Sequence, residues 1–311
     1  MTAVVSRPVL CRDGVHTLDL ADREVVAERL LRTSRKHSFD PDTDVDWETP
    51  TDPDLWFMPP TTVSLYETPL WETMTHRQRV ELSKREMARL VSVGIWSEMA
   101  LMRALLAHAY RRSWDSDHVA YALTEVADEC RHSTMFGKGL RKAGIRPSWP
   151  GLLEYQVGKL AGSIYDPLPI FAGTLLVEEY TDALQRIALE DEQIQPWIRQ
   201  INRIHVIEEA RHVKFAREEL KHLAVRAHPL RLHAVGAAMG VFAKRLTDWM
   251  VFGEAYAAVG LDPRTATRVA RAGEHRRATN RFLYRRLAAF YEEIGLLDGM
   301  GARTWKRFGL I

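Results

Sequence analysis

Two cysteines in 311 residues, Cys11 and Cys130, are too few for a disulfide framework or a cysteine-rich zinc site, and they point to a reducing compartment. Charge of one sign is also missing. A formal net charge of +2 argues for no particular partner, and a nucleic-acid module would carry a basic stripe, so no nucleic acid is expected. Long apolar runs are scarce as well. The longest, around Val235 to Ala243, is too short to span a membrane, and Lys244 and Arg245 follow it. The apolar pieces near the N-terminus are broken by Arg7, Arg12 and Asp13, unlike a secretory signal. A cytoplasmic protein with no membrane partner is therefore the expectation. No strand alternation stands out. No flavin or nicotinamide motif is evident either, so a redox function would need a separate electron donor.

What is present is helix signal. Residues Asp22 to Ser34 read as a short helix, and Asp40 to Thr73 hold six prolines and many acids, as an extended surface arm would. Trp47, Trp56, Phe57, Tyr66 and Trp71 would pin that arm to the body, which a disordered linker would not need. Thr75 and Gln78 form a capping box for a helix running to about Arg112. A second helix starts near Asp115 and stops at Gly144, with Pro147 beyond. A third spans about Pro169 to Glu190. Pro196 opens a fourth that ends before Pro229. Two more follow, at roughly 229–259 and 263–294. The expected fold class is all-α, with residues 1–74 as a helix and arm and residues 75–311 as a single helical-bundle domain.

A five-residue pattern occurs twice: Asp128-Glu129-Cys130-Arg131-His132 and Glu208-Glu209-Ala210-Arg211-His212. Residues three apart share a helix face, so each helix aims a carboxylate and an imidazole at one point. His205 adds a third imidazole at i, i+4, i+7 with Glu209 and His212. Val206, Val213 and Ala216 neighbour that stripe, and Ala122, Val126 and Phe136 neighbour the other, so both face inward. Buried without partners these groups would each cost several kcal/mol; a metal offsets that cost. Ligating histidines usually donate their outer N–H to a carboxylate, and Asp128 and Glu208 are placed for that role. Cys130 faces away from the ligands and reads as core filler. On the first helix Glu98 lies among Val91, Gly94, Ile95, Leu101, Met102 and Leu105, whereas Glu81 and Glu86 look solvated. On the third helix spacing leaves Glu178 and Glu179 equally placed. Two Glu-x-x-His helices plus one Glu from each of two others make the di-iron carboxylate site of a ferritin-like bundle. Carboxylates with imidazoles suit Fe(II), or Mn(II), better than a thiolate-seeking metal.

With those residues in place, the stretch from about 75 to 220 resembles the p-aminobenzoate N-oxygenase family of non-haem di-iron enzymes. That family has a Glu, then Asp-Glu-x-x-His, then a Glu, then His-x3-Glu-x2-His. Glu98, Glu129, His132, Glu178, His205, Glu209 and His212 match it as metal ligands. The segment Val177-Glu178-Glu179-Tyr180-Thr181-Asp182-Ala183-Leu184, followed by Ile194-Gln195-Pro196, carries the resemblance into the third helix and selects Glu178. The resemblance implies a ferritin-like fold with an N-terminal arm and extra C-terminal helices. It also implies two iron ions, O2 and a separate electron donor, with an arylamine substrate taken through hydroxylamine toward nitro. The Arg before each His departs toward bacterial multicomponent hydroxylases. A di-iron C–H hydroxylase or desaturase is therefore the alternative, and a non-catalytic iron-binding bundle the second. A basic row on the last helix, Arg276, Arg277, Arg281, Arg285 and Arg286, offers either a carboxylate clamp or an exposed face. A homodimer is a further expectation.

Overall fold

A computed structural model describes residues 4–11, 14–148, 151 and 165–311. Four long helices make the body: α3 (His76–Tyr110), α4 (Asp117–Ala143), α5 (Pro167–Glu190) and α6 (Pro196–Ala224). Their ends follow local chemistry. The Thr75–Gln78 capping box opens α3. Ser116 caps α4, and Gly144, with φ 68°, closes it in the left-handed region where glycine carries no Cβ penalty. Asp166 caps α5 with Pro167 in its first turn, two residues earlier than the sequence pattern indicates. Pro196 stands in the first turn of α6. The four pack in a ring, α3 on α4, α4 on α6, α6 on α5 and α5 on α3, an all-α ferritin-like bundle.

Around it lie α1 (Arg23–Lys36), against α4 and α6, and the C-terminal helices α7 (Pro229–Trp249), α8 (Gly253–Ala258), α9 (Pro263–Ala272), α10 (Glu274–Glu293) and α11 (Gly299–Arg307). The two C-terminal helices expected from the sequence are thus each broken. Phe252 is extended (φ −136°, ψ 132°) while Met250 and Val251 bury their side chains. Gly273 is extended at ψ 126°. The short α11 was not anticipated. It packs so closely on α7 that a Cβ on Gly240 would stand 2.7 Å from Trp305 Cδ1, and the Trp305 indole donates to the Gly236 carbonyl at 3.0 Å.

The sequence reading missed one strand pair. Val4–Cys11 and Gly14–Ala21 form an antiparallel hairpin. The signal is short: Leu18 and Leu20, both buried, alternate with Thr17 and Asp19, and four residues of alternation are easily lost beside long helices. The arm lies against the α5–α6 turn. Trp56, Phe57 and Trp71 are buried, and Trp56 exchanges backbone hydrogen bonds with Gln193 and Gln195 at 2.9 and 3.0 Å. A short helix, α2 (Pro69–Thr73), ends it. By length and composition α3 could cross a membrane. Its Glu98 and His108 are nonetheless buried and bonded to Ser133 and His118 of α4.

Two readings of single residues need correction. Cys130 is exposed, not core filler, because the α4 face opposite the carboxylates points to solvent; its thiol touches Met102 Sδ at 3.4 Å. Glu86 is buried, not solvated, because the arm folds over it: Ser64 donates to its carboxylate through N–H at 2.9 Å and through Oγ. Burial raises its pKa to about 7, outweighing the Ser64 hydrogen bonds and Arg276. A carboxyl raised in the folded state contributes stability that is full below its unfolded value near 4.5 and is lost as pH climbs to 7. Glu86→Gln mimics the protonated form. Its stability advantage over wild type should grow between pH 4.5 and 7, toward an order of 3 kcal/mol, in urea titrations run across that range. A pH-independent difference would contradict the assignment.

Candidate metal centre

Glu129, His132, Glu209 and His212 meet in the bundle core, each buried. Glu98 joins His132 and His205, and Glu178 joins His205 and Glu209, with ligand atoms in each group within 4.8 Å of one another. All seven residues singled out in the sequence therefore converge on one centre. Helix geometry does this: Glu129 and His132 share one face of α4, and His205, Glu209 and His212 share one of α6. Glu178 and Glu179, undecided by spacing, part company. Glu179 turns outward to Arg217, whose Nε donates to it at 2.7 Å, while Glu178 turns to the centre.

The imidazoles face the carboxylates in two ways. His132 Nδ1 lies 3.0 Å from Glu129 Oε2, and His212 Nδ1 lies 3.2 Å from Glu209 Oε2 and 2.9 Å from Glu129 Oε1. Their outer nitrogens meet the paired acids across the bundle: His132 Nε2 meets Glu208 at 2.9 Å, and His212 Nε2 meets Asp128 at 3.2 Å. Each repeat thus supplies the acid that holds the other repeat's histidine. The arginines hold the acids in turn. Arg131 pairs with Asp128, and Arg211 reaches Asp128 at 3.2 Å and Glu208 at 3.6 Å. His205 is reversed, with Nε2 inward, 3.6 Å from Glu209 and 3.8 Å from Glu98, and Nδ1 2.8 Å from Gln185 Oε1.

These groups fit a pair of divalent cations. Four carboxylates and three neutral imidazoles balance two such charges. Glu209 Oε1 is buried without a hydrogen-bond partner, an acceptor oriented for something other than a protein donor. The pKa values reflect the same crowding. Burial raises Glu98 and Glu178, and neighbouring acids add to it. Burial opposes ionisation of Glu129 and Glu209, but His212 outweighs it and lowers both. Burial would lower His132, yet Glu129 and Glu208 hold it raised, to about 10. Protons and imidazolium charge thus occupy the place of metal charge, and metal binding must release protons.

Sequence reasoning missed three features. Glu125, one turn before Glu129, is buried, and burial raises its carboxyl well above the usual range. His108, His118 and Glu219 form a second buried group. Burial lowers these histidines to about 3 and about 4, and Arg23 already pairs with Glu219, with Arg112 at 3.7 Å, so this group is complete without a cation. The third is a cavity bounded by the arm (Phe57, Met58, Thr62) and by Gly94, Phe136 and Leu184, with Glu98, Glu178 and His205 in its wall. No local pattern announces it, because its walls come from five separate segments.

Fold and donor set define the class: a ferritin-like di-metal carboxylate bundle. The chain belongs, more narrowly, to the p-aminobenzoate N-oxygenase family, whose pattern, described as "P-aminobenzoate N-oxygenase AurF", matches residues 20–295. The match runs well past the ligand helices, from the end of the hairpin through α1 and on through α10. Uncharacterised proteins of Mycobacterium bovis and Mycobacterium tuberculosis are each 31% identical over 228 residues, covering 70% of this chain and 67% of theirs. The family is one of di-iron oxygenases.

If the seven residues are ligands, protein reconstituted with ferrous iron should hold about two irons per chain. Glu178→Ala should lose iron while its metal-free form melts no lower than wild type, since a buried acid has been removed. Glu179→Ala should keep iron and melt lower, because Arg217 loses its partner. Iron analysis with thermal melts tests both; the opposite pairing would move α5 by one residue.

Proposed function

We propose that this chain is an O2-dependent di-iron monooxygenase that oxidises the nitrogen of an arylamine carrying no charged group on its ring. The cavity beside Glu98, Glu178 and His205 carries this reading. An iron-storage bundle has no use for an apolar chamber against its metals. Bound irons would activate O2; Glu98, Glu129, His132, Glu178, His205, Glu209 and His212 would hold them. The protein's own share is to keep water out with Phe57, Met58, Phe136 and Leu184, and to orient the amine toward Glu98 and Glu178. Thr62, Thr181, Gln185 and Asn202 offer neutral hydrogen bonds. Among the described residues lining the cavity none is Lys or Arg, so a ring carboxylate would be desolvated there without a counter-charge.

The basic row on α10 supplies no clamp there. Arg277, Arg281, Arg285 and Arg286 are exposed, and Arg276 donates to the Thr247 carbonyl at 2.6 Å and lines a neighbouring pocket that shares Met58, Thr62, Leu90 and Leu184 with this cavity. The arginines of the repeats, which motivated the hydroxylase alternative, are engaged with Asp128 and Glu208 and favour neither chemistry. Electrons come from a separate donor in this reading, and a reducing cytoplasm suits both ferrous iron and the exposed Cys130. Two copies pairing through the exposed Met99, Leu106, Tyr110 and Trp114 on and beside α3 would register in sedimentation as a mass of twice 35.7 kDa.

The reduced, iron-loaded protein should oxidise neutral arylamines under O2, with oxygen found on nitrogen by product mass and fragmentation. Ring carboxylates should raise KM. Hydroxylation of an alkyl substrate at carbon instead would establish the alternative. Gly94 sharpens the test. A Cβ there meets no atom within 4 Å, and it lies one turn before Glu98 on the cavity wall. Gly94→Ala should stabilise α3 by about 0.5–1 kcal/mol, whereas Gly94→Leu should fold and bind iron but turn over bulky amines at least tenfold more slowly.

A further inference from the structure

We propose that Gln185 is a positioning residue for His205, setting which of its nitrogens faces the metals and making it the weakest-held of the three imidazoles. The inference rests on the di-metal reading above. Gln185 lies on α5 seven residues beyond Glu178, two helical turns along the same face. It delivers its amide oxygen to His205 Nδ1 at 2.8 Å. A histidine that ligates through Nε2 must carry its proton on Nδ1, and that N–H needs an acceptor in a buried site. Gln185 is that acceptor.

The three braces follow one plan with one exception. His132 on α4 is braced by Glu208 of α6, and His212 on α6 by Asp128 of α4. His205 on α6 is braced by Gln185 of α5. Every brace crosses to another helix, so each locks ring orientation and helix packing together. Two braces are carboxylates, which strengthen the ligating nitrogen by drawing the outer proton away; the third is a neutral amide and does so less. The two acid-braced rings present Nδ1 to the centre, and the amide-braced ring presents Nε2. His205 and Gln185 also stand in the cavity wall, where Glu208 and Asp128 do not. The softer ligand is therefore the one beside the substrate space.

Anaerobic Co(II) titration, followed by its visible ligand-field bands, tests this in the whole chain. Wild type should bind two Co(II). Gln185→Leu should weaken one binding step by roughly 10- to 100-fold and alter one cobalt's bands, with the metal-free melting temperature unchanged. Gln185→Glu, a third anionic brace, should restore or tighten that step. His205→Ala should weaken the same step, and adding Gln185→Leu to it should weaken it no further. If His205→Ala weakens binding and Gln185→Leu does not, the positioning role falls and the metal site stands. If His205→Ala binds both Co(II) as wild type does, the assignment of His205 as a ligand falls first. If Gln185→Leu weakens both steps alike and lowers the metal-free melting temperature, Gln185 only packs.

Discussion

The structure depends on one constraint: four carboxylates, from Glu98, Glu129, Glu178 and Glu209, stand together in a bundle core that admits little water. Isolated buried carboxylates are among the most costly groups a protein can hold. They are tolerable only opposite cations. Without metal, His132 and His212 supply that charge, held protonated by the acids around them. With two divalent ions in place the histidines can be neutral donors. The same residues are thus coherent in both states.

The layers beyond the centre follow from its charge. A histidine held by a buried acid imports another negative charge, and Asp128 and Glu208 are nearly inaccessible. Arg131 and Arg211 neutralise them on the outer side. Arg211 also donates to the His37 carbonyl at 3.2 Å, and the Phe39 N–H reaches Glu208 at 3.4 Å, so the chain leaving α1 is fastened to the same network. The repeated acid–Glu–x–Arg–His pattern is in this light one half of a reciprocal unit: inner ligand, brace, counter-charge and imidazole on about one and a half turns of helix. Two halves related across the bundle complete each other.

Much of this was legible in the residues because helical periodicity converts spacing directly into direction. Glu129 with His132, and His205 with Glu209 and His212, could point only one way once their apolar neighbours were recognised. Long helices with explicit caps at Thr75, Gly144 and Pro196 were readable for the same reason. What escaped depends on contacts distant in sequence. Glu86 looked solvated among the polar residues of its own helix, and only Ser64, brought over by the arm, makes it a buried acid. Cys130 was placed on the correct helix face but assigned the wrong surroundings, since sequence periodicity gives direction and not what lies there. Gln185 had no signature at all, because its role exists only where α5 and α6 touch.

That contrast bears on specificity within such a bundle. The donor set is prescribed by charge balance and helix geometry, so it tolerates little variation. The cavity wall has no such obligation. Phe57, Met58 and Thr62 arrive on an arm with few regular elements, and Gly94 leaves space that any larger side chain would take. Changes there alter what fits beside Glu98 and Glu178 without disturbing the buried charge. The wall also touches the centre at His205, whose brace is neutral. Substrate preference and the strength of one metal ligand therefore meet on a single stretch of α5, between Glu178 and Gln185. Selection on substrate shape would press on that stretch, and the acid-braced histidines on the far side would be free to keep the metals in place.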